Sequence, residues 1–308
     1  MLVRRLGSIA VAIVVLLVPT AAASAASAAP PGPTLTVSGT VSDPATYTLS
    51  QLNALPTETV TVPLPGWGGH RSVTAVGVSL DNLVTLASPV LPPVKNALLS
   101  VIVTAQGPFG RQVSFALGEL DPDFGDHDAV VILSVAGHPL RAPALAVPGD
   151  NGTFRDLLVV SQIKVGVVST SVVTPPTPGA VVVENGSRTV TLSAQLLSRL
   201  PAQTLTVNFL AAGTPETFTE SGPPLSEVLQ AAHVRAGLTT WVAAVGSDGY
   251  VAAVTPGEAW FGGRPLLLSL NEDGTPLSAP RLVADGDIEG GRYVYGVYDL
   301  VVGQGSPS

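Results

Sequence analysis

An internal repeat is the feature of this sequence that most constrains its fold. The segment TLSQLNALPTETVTV, from Thr48 to Val62, returns as TLSAQLLSRLPAQTLTV, from Thr191 to Val207. In each copy a serine, Ser50 or Ser193, is predicted to cap a short helix, which a Leu-Pro pair ends before an alternating strand. We therefore predict two successive copies of about 125 residues each.

Shorter matches continue the repeat. Each copy is predicted to contain an amphipathic helix, which begins at Leu80 in the first copy and at Leu225 in the second. Matched dipeptides and tetrapeptides follow: Gly118-Glu119 with Gly257-Glu258, Gly137-His138-Pro139-Leu140 with Gly274-Thr275-Pro276-Leu277, Ala142-Pro143 with Ala279-Pro280, and Gly149-Asp150 with Gly286-Asp287. Both the order and the spacing of these matches persist, which argues against chance similarity.

The second copy alternates apolar, strand-like runs with turn dipeptides. Between Trp241 and Leu300 the turn signals are Asp248-Gly249, Asp273-Gly274, Asp285-Gly286 and Gly290-Gly291. Gly and Asp accept the positive φ that tight hairpins need. The sequence therefore predicts a β-dominated α+β fold.

Charge and cysteine content exclude several classes of function. The chain has 14 basic and 22 acidic residues, a formal net charge of −8, and no cysteine. A surface of this charge repels phosphate backbones, so no nucleic-acid partner is expected. Without cysteine there can be no disulfide, thiolate metal site, iron–sulfur cluster or cysteine nucleophile.

The N-terminus has the composition of an export signal. Arg4 and Arg5 precede an apolar run and small-residue cleavage sites, so residues 1–28 are predicted to be a signal peptide. The general secretory and twin-arginine routes both remain open, and a retained membrane anchor is disfavoured because the apolar run is short. We expect a secreted or cell-envelope protein with no stable membrane span after cleavage.

Two proline-rich stretches set the predicted domain boundaries. Residues 29–34 form a spacer and residues 174–179 a linker. The first domain is therefore predicted to span residues 35–173, and the second residues 180–305.

The second copy resembles a known family. Its motifs are Asp248-Gly249-Tyr250, Pro276-Leu277, Pro280-Arg281-Leu282-Val283 and Gly291-Arg292-Tyr293-Val294. This series is similar to the molybdopterin-binding domain of the sulfite-oxidase-like oxidoreductases. The first copy keeps the frame but has Gln106-Gly107-Pro108-Phe109 where Asp-Gly-Tyr would be. The resemblance implies a duplicated sulfite-oxidase-like molybdopterin-binding fold, with a degenerate first copy.

The same resemblance implies a metal ligand that this chain lacks. In that family a pterin dithiolene and one cysteine thiolate hold molybdenum, because soft sulfur suits this metal. The matching stretches, residues 60–78 and 204–222, contain no cysteine. We therefore expect no bound cofactor and assign no metal-ligating or catalytic residue, with molybdopterin binding as the alternative.

The residues predicted to contact a cofactor or ligand are those that offer charge, amide donors or flat rings near the family's site: Trp67, His70, Arg71, Asp248, Tyr250, Arg281 and Arg292. The first three lie in a glycine-rich loop. This loop either contacts a ligand or is an ordinary flexible surface loop. Simpler roles are favoured for three others: an ion pair or a carbonyl clamp beneath the sheet for Arg281, turn formation for Asp248 and core packing for Tyr250. Further cationic candidates are Arg264 in the second copy and His138, Arg141 and Arg155 in the first.

An acidic cluster follows the middle of the first copy. Asp121, Asp123, Asp126, His127 and Asp128 form the run LDPDFGDHD. It could bind a hard cation, but the spacing lacks the features of a helix-loop-helix calcium site, and a solvated acidic loop is favoured.

We predict an exported binding or interaction module that is non-catalytic or free of cofactor. Its partner would be a small molecule or an envelope protein. Two alternatives stay open: an active molybdenum-cofactor oxidoreductase with a metal ligand other than cysteine, and a structural cell-envelope module.

Overall fold

A computed structural model of the chain describes residues 32–63, 72–170 and 177–307. The first half contains nine strands: β1 (Thr34–Gly39), β2 (Ala45–Thr48), β3 (Glu58–Pro63), β4 (Ser72–Ser79), β5 (Val101–Gln106), β6 (Gln112–Ala116), β7 (Val130–Val135), β8 (His138–Ala146) and β9 (Gln162–Val167). Its short helices are α1 (Leu49–Leu52), α2 (Leu80–Leu86) and α3 (Leu117–Leu120).

The second half repeats this succession of elements. Its strands are β10 (Val181–Asn185), β11 (Arg188–Leu192), β12 (Gln203–Ala211), β13 (Thr214–Gly222), β14 (Thr240–Gly246), β15 (Val251–Val254), β16 (Leu266–Glu272), β17 (Thr275–Ala284) and β18 (Val297–Gln304). Its helices are α4 (Ala194–Leu197), α5 (Leu225–Ala231) and α6 (Pro256–Trp260). The β-dominated α+β class predicted from the sequence is confirmed.

Each half has one five-stranded and one four-stranded sheet. The five-stranded sheets have the orders β2-β1-β9-β5-β6 and β11-β10-β18-β14-β15, and in both the first and last strands of the half pair in parallel. The four-stranded sheets have the orders β3-β4-β7-β8 and β12-β13-β16-β17. Adding nine to every strand number converts the topology of the first half into that of the second.

The two amphipathic helices form where the repeat predicts them. Helix α2 buries Leu80, Leu83 and Val84, and α5 buries Leu225, Val228 and Leu229, because these spacings place the side chains on one helix face. Ser193 caps α4 as predicted, since its hydroxyl accepts the backbone N–H of Leu196 at 3.2 Å.

The predicted cap at Ser50 is wrong. Helix α1 begins two residues earlier, and Thr48 caps it together with Gln51 in a reciprocal capping box. The capping box satisfies two backbone donors, whereas a cap at Ser50 would satisfy one.

Among the described residues, five apolar clusters hold the fold together, two of which are small clusters centred on the four-stranded sheets. Of the other three, one fills the first half, and a second fills the second half together with Leu99 and Phe124 of the first half. A third joins the two five-stranded sheets across the halves, and it contains Ile102, Ala116, Val168, Trp241, Ala243 and Ala253. Across residues 32–63, 72–170 and 177–307, no helix is both long and apolar enough to span a membrane.

Candidate functional site

The turn between β14 and β15 fixes the backbone of Tyr250. Asp248 Oδ1 accepts the backbone N–H of Tyr250 at 3.0 Å, and Gly249 supplies the positive φ of +81° that the turn requires. The turn-forming role favoured for Asp248 is therefore what the geometry shows.

The hydroxyl of Tyr250 links the two halves of the chain. Asn96 Nδ2 of the first half donates to it at 3.0 Å, and the hydroxyl donates to the carbonyl oxygen of Gly291 at 2.6 Å. Asn96 reaches this position with a left-handed backbone (φ +51°), which asparagine tolerates better than most residues. Burial raises the pKa of the Tyr250 hydroxyl, so it stays protonated at neutral pH.

Two cavities lie on either side of this tyrosine and share Lys95, Asp248 and Tyr250 in their walls. We call the first, of about 520 Å³, the apolar cavity, because Ala97, Val168 and Val245 form buried parts of its wall. The second, of about 470 Å³, is the aromatic cavity, and three of the chain's five tyrosines and two of its seven phenylalanines line it: Phe124, Phe209, Tyr250, Tyr293 and Tyr295.

Arg281 contacts Tyr295, which lines the aromatic cavity, and is engaged by carboxylates. Its Nη1 donates to Glu220 at 2.5 Å and also to Glu272, and its guanidinium lies 4.0 Å from the ring centroid of Tyr295. Burial alone would lower the pKa of Arg281, but the hydrogen bond with Glu272 and the charge of Glu220 outweigh it and raise the pKa. The ion-pair role favoured for this residue is the one observed.

Arg292 is fully buried and bonded to two buried carboxylates. Its Nη1 donates to Glu258 at 2.8 Å, while Nε and Nη2 donate to the two oxygens of Asp287 at 2.8 and 2.5 Å. Arg264 adds a further donor to Asp287 at 2.6 Å. Binding a cofactor phosphate through Arg292 would require these bonds to break.

The first half contains the same arrangement around Arg155. Its Nη1 donates to Glu119 at 2.5 Å, and its Nε and Nη2 donate to the two oxygens of Asp150 at 2.7 and 2.5 Å. His127 Nε2 lies 3.0 Å from Asp150, where the second half has Arg264. We call these two clusters the first and second arginine networks.

The two arginine networks interlock at the junction of the halves. A Cβ added to Gly118 would lie 2.9 Å from Cδ of Arg292, and one added to Gly257 would lie 3.2 Å from Cδ of Arg155. Each network thus packs against the glycine that precedes the glutamate of the other. The repeated Gly-Glu pair was visible in the sequence, but its role was not.

The buried carboxylates of the networks differ in proton affinity. Burial would raise the pKa of Asp150, yet hydrogen bonds from Arg155 and His127 outweigh burial and lower it. The pKa of Asp287 is raised because this side chain is more deeply buried and lies near Glu258.

Sequence reasoning missed the arginine networks. It treated Arg155 and Arg292 as phosphate-binding candidates. A usable signal was the aspartate five residues before each arginine, Asp150 before Arg155 and Asp287 before Arg292.

The acidic run of the first half does not converge on one point. Asp121 Oδ1 accepts the backbone N–H of Asp123 at 2.8 Å, His127 belongs to the first arginine network, and Asp128 accepts the hydroxyl of Ser79 at 3.2 Å. Burial, then a hydrogen bond with Glu58, raises the pKa of Asp128 to about 8. In the part of the chain that the structure describes, no three acidic or histidine side chains are arranged to hold a metal ion.

Three predicted site residues lie outside the described residues: Trp67, His70 and Arg71. Of the others, Asp248 and Tyr250 meet in the cavity walls, whereas Arg281 and Arg292 lie in ion pairs. Lys95 and Asn96, which complete the site, were not predicted.

The donor set of the described residues does not fit the molybdopterin cofactor that the sequence resemblance implies. No cysteine is available to ligate the metal. The second-copy arginines expected to hold its phosphate, Arg264, Arg281 and Arg292, all pair with carboxylates.

Strands, sheets and cavities together define a β-dominated α+β protein with two adjoining ligand-sized cavities where its halves meet. No protein-family model matches the chain, and no curated protein matches it. Among solved structures, the sulfane dehydrogenase SoxCD from Paracoccus pantotrophus is similar over 86% of this chain and 77% of its own, at 14% identity and a TM-score of 0.34. Structural similarity at this level says nothing about the function of this chain.

Proposed function

We propose that this chain is an exported binding protein that takes up a small molecule where its two molybdopterin-oxidoreductase-like copies meet, without using a molybdenum cofactor. One observation carries the proposal. Tyr250 is fixed by hydrogen bonds from both halves while it forms a wall of both cavities. A side chain fixed before a ligand arrives loses little further freedom on binding.

The cavities have the size and character of small-molecule sites. Volumes of about 520 and 470 Å³ fall in the range of about 300–1,000 Å³ that such sites occupy. Their walls are mostly apolar, with few charged groups, and a wall of this kind combines burial with orientation of the ligand.

The charge arrangement favours a binding role over molybdenum chemistry. The arginine networks use their cations to neutralise buried carboxylates, so that, of the residues the structure describes, Lys95 is the one cationic side chain in the cavity walls. One ammonium is a weak receptor for a pyranopterin phosphate, which proteins hold with several charge-assisted donors.

A ligand screen with blocking variants tests the proposal. The mature chain is titrated with a library of small molecules while its melting temperature is followed, since a ligand that binds only the folded state raises it. Ala211→Trp would fill the aromatic cavity and Pro92→Trp the apolar cavity, and both positions are exposed. Ala54→Trp, also exposed but in neither wall, is the matched control.

We expect at least one compound whose stabilising effect disappears in a blocking variant and persists in Ala54→Trp. Binding that survives both blocking variants would refute this site. Failure of every compound to bind would instead favour a structural cell-envelope module. Stoichiometric molybdenum in the purified protein would favour an oxidoreductase with a ligand other than cysteine.

A further inference from the structure

Aromatic rings are the most frequent side chains in the wall of the aromatic cavity. The hydroxyl of Tyr250 is already engaged by Asn96 and Gly291, so its ring is what remains for a ligand. Tyr295 is 54% exposed, and Arg281 covers one of its faces. Ring faces carry negative electrostatic potential and attract cations.

Glycines allow the rings to gather around this cavity. A Cβ at Gly290 would lie 2.6 Å from the ring of Phe209, and one at Gly291 would collide with the ring of Phe124. Phe209 in turn packs on Tyr293, with ring centroids 4.2 Å apart. The adjoining glycines let the backbone approach both phenylalanines closely.

The charged groups in the wall are unbalanced in favour of a cation. The wall of this cavity contains two acidic side chains, Asp248 and Glu289, and one basic side chain, Lys95. Among the described residues, neither carboxylate forms an ion pair with a basic side chain. The whole chain has a net charge of −8, which adds a long-range attraction for cations.

We propose that the aromatic cavity binds a small organic cation with a methylated ammonium group, which the rings and the carboxylates of Asp248 and Glu289 recognise together. Methyl groups on the cation suit the apolar wall, while its diffuse charge suits the ring faces. An inorganic cation would lose its water without gaining comparable ligands here. The inference rests on the proposed function, because it names the ligand class of that same site.

Choline and its neutral carbon analogue, in which a tert-butyl group replaces the trimethylammonium group, give the direct test. The two molecules have nearly the same shape, so isothermal titration of the unaltered mature chain isolates the effect of charge. We expect choline to bind about tenfold more tightly than the neutral analogue, in the range measured for desolvated cation–π contacts. Equal affinities would overturn the inference.

Variants of exposed or partly exposed residues identify the groups responsible. Asp248→Asn keeps the oxygen that holds the turn, and combined with Glu289→Gln it should weaken choline binding about tenfold. Tyr295→Leu should weaken it several-fold and Tyr295→Phe should not, because phenylalanine keeps the ring face. Lys95→Gln should tighten binding, since it removes a like charge; weaker binding in this variant would count against the inference.

The inference and the proposed function fail in different ways. If sugars or anions bind and Ala211→Trp abolishes their binding, while choline and tetramethylammonium do not bind, only the cation inference is wrong. If no compound of any class binds, the proposed function is wrong as well.

Discussion

Removing the guanidinium of Arg292 should destabilise the protein more than any change at its surface. The side chain is fully buried, and it donates three hydrogen bonds of 2.5–2.8 Å to Asp287 and Glu258, which are also buried. Arg292→Met keeps much of the volume but leaves two carboxylates without their main counter-ion. Each must then either stay charged in a low-dielectric site or take up a proton.

The size of the effect follows from how buried ion pairs behave. Removing one partner of a buried pair destabilises by about 3–5 kcal/mol, because the remaining charge is uncompensated. Total stabilities of about 5–15 kcal/mol make this a large share of the folding free energy. For a chain of this size we expect the melting temperature to fall by roughly 6–15 °C.

Urea unfolding at pH 7, followed by circular dichroism, measures the change. Arg188→Met is the control, since Arg188 is exposed and this substitution should lower the free energy of unfolding by less than about 0.5 kcal/mol. Arg155→Met should lower the free energy of unfolding by nearly as much as Arg292→Met does if the two arginine networks are equivalent. A double variant with Glu258→Gln added to Arg292→Met should recover part of the loss, because Asp287 keeps Arg264 as its counter-ion and Glu258 no longer carries a charge. A loss below about 1 kcal/mol for Arg292→Met would refute the reasoning.

Three further changes test other parts of the structure. The pKa of Asp128 is raised from 3.8 to about 8, so the unfolded chain releases this proton first and stability falls as pH rises between these values. Asp128→Asn should therefore be more stable than the unaltered protein. The difference between their free energies of unfolding in urea should widen by about 1 kcal/mol or more from pH 5 to pH 8; a constant difference would contradict this. Asn96→Gly should lose about 1 kcal/mol with the bond to Tyr250, and Asn96→Ala roughly twice that because alanine resists positive φ; equal losses would show that the backbone conformation is unimportant. Gly118→Ala should destabilise by about 1–3 kcal/mol through overpacking, whereas Gly237→Ala, with open space around it, should be nearly neutral in the same assay.

Local features of the fold were the predictable ones. The apolar spacing from Leu80 and from Leu225 predicted α2 and α5, because a helix face is set by residues three and four positions apart. The Asp273-Gly274 turn likewise joins β16 and β17 with positive φ at both positions. The cap at Ser50 failed because two positions only two residues apart, Thr48 and Ser50, offered hydroxyl groups, and only Thr48 has the partner Gln51 three residues on.

The candidate site was predictable only in part, because it depends on distant contacts. Asp248 and Tyr250 were found through a motif that is continuous in the sequence. Asn96, which holds the ring of Tyr250, lies 154 residues away from it, in a loop with no distinguishing composition. Glu258, which pairs with Arg292, was similarly hidden, since it is 34 residues away and no local pattern indicates burial.

The molybdenum content of the mature chain, purified from a host that makes the molybdopterin cofactor, tests most directly the claim that this protein binds ligands without that cofactor. The absence of cysteine and the neutralised arginines predict far less than one molybdenum atom per chain, together with no released pterin fluorescence after denaturation. A ratio near one atom per chain, retained through gel filtration, would contradict the account.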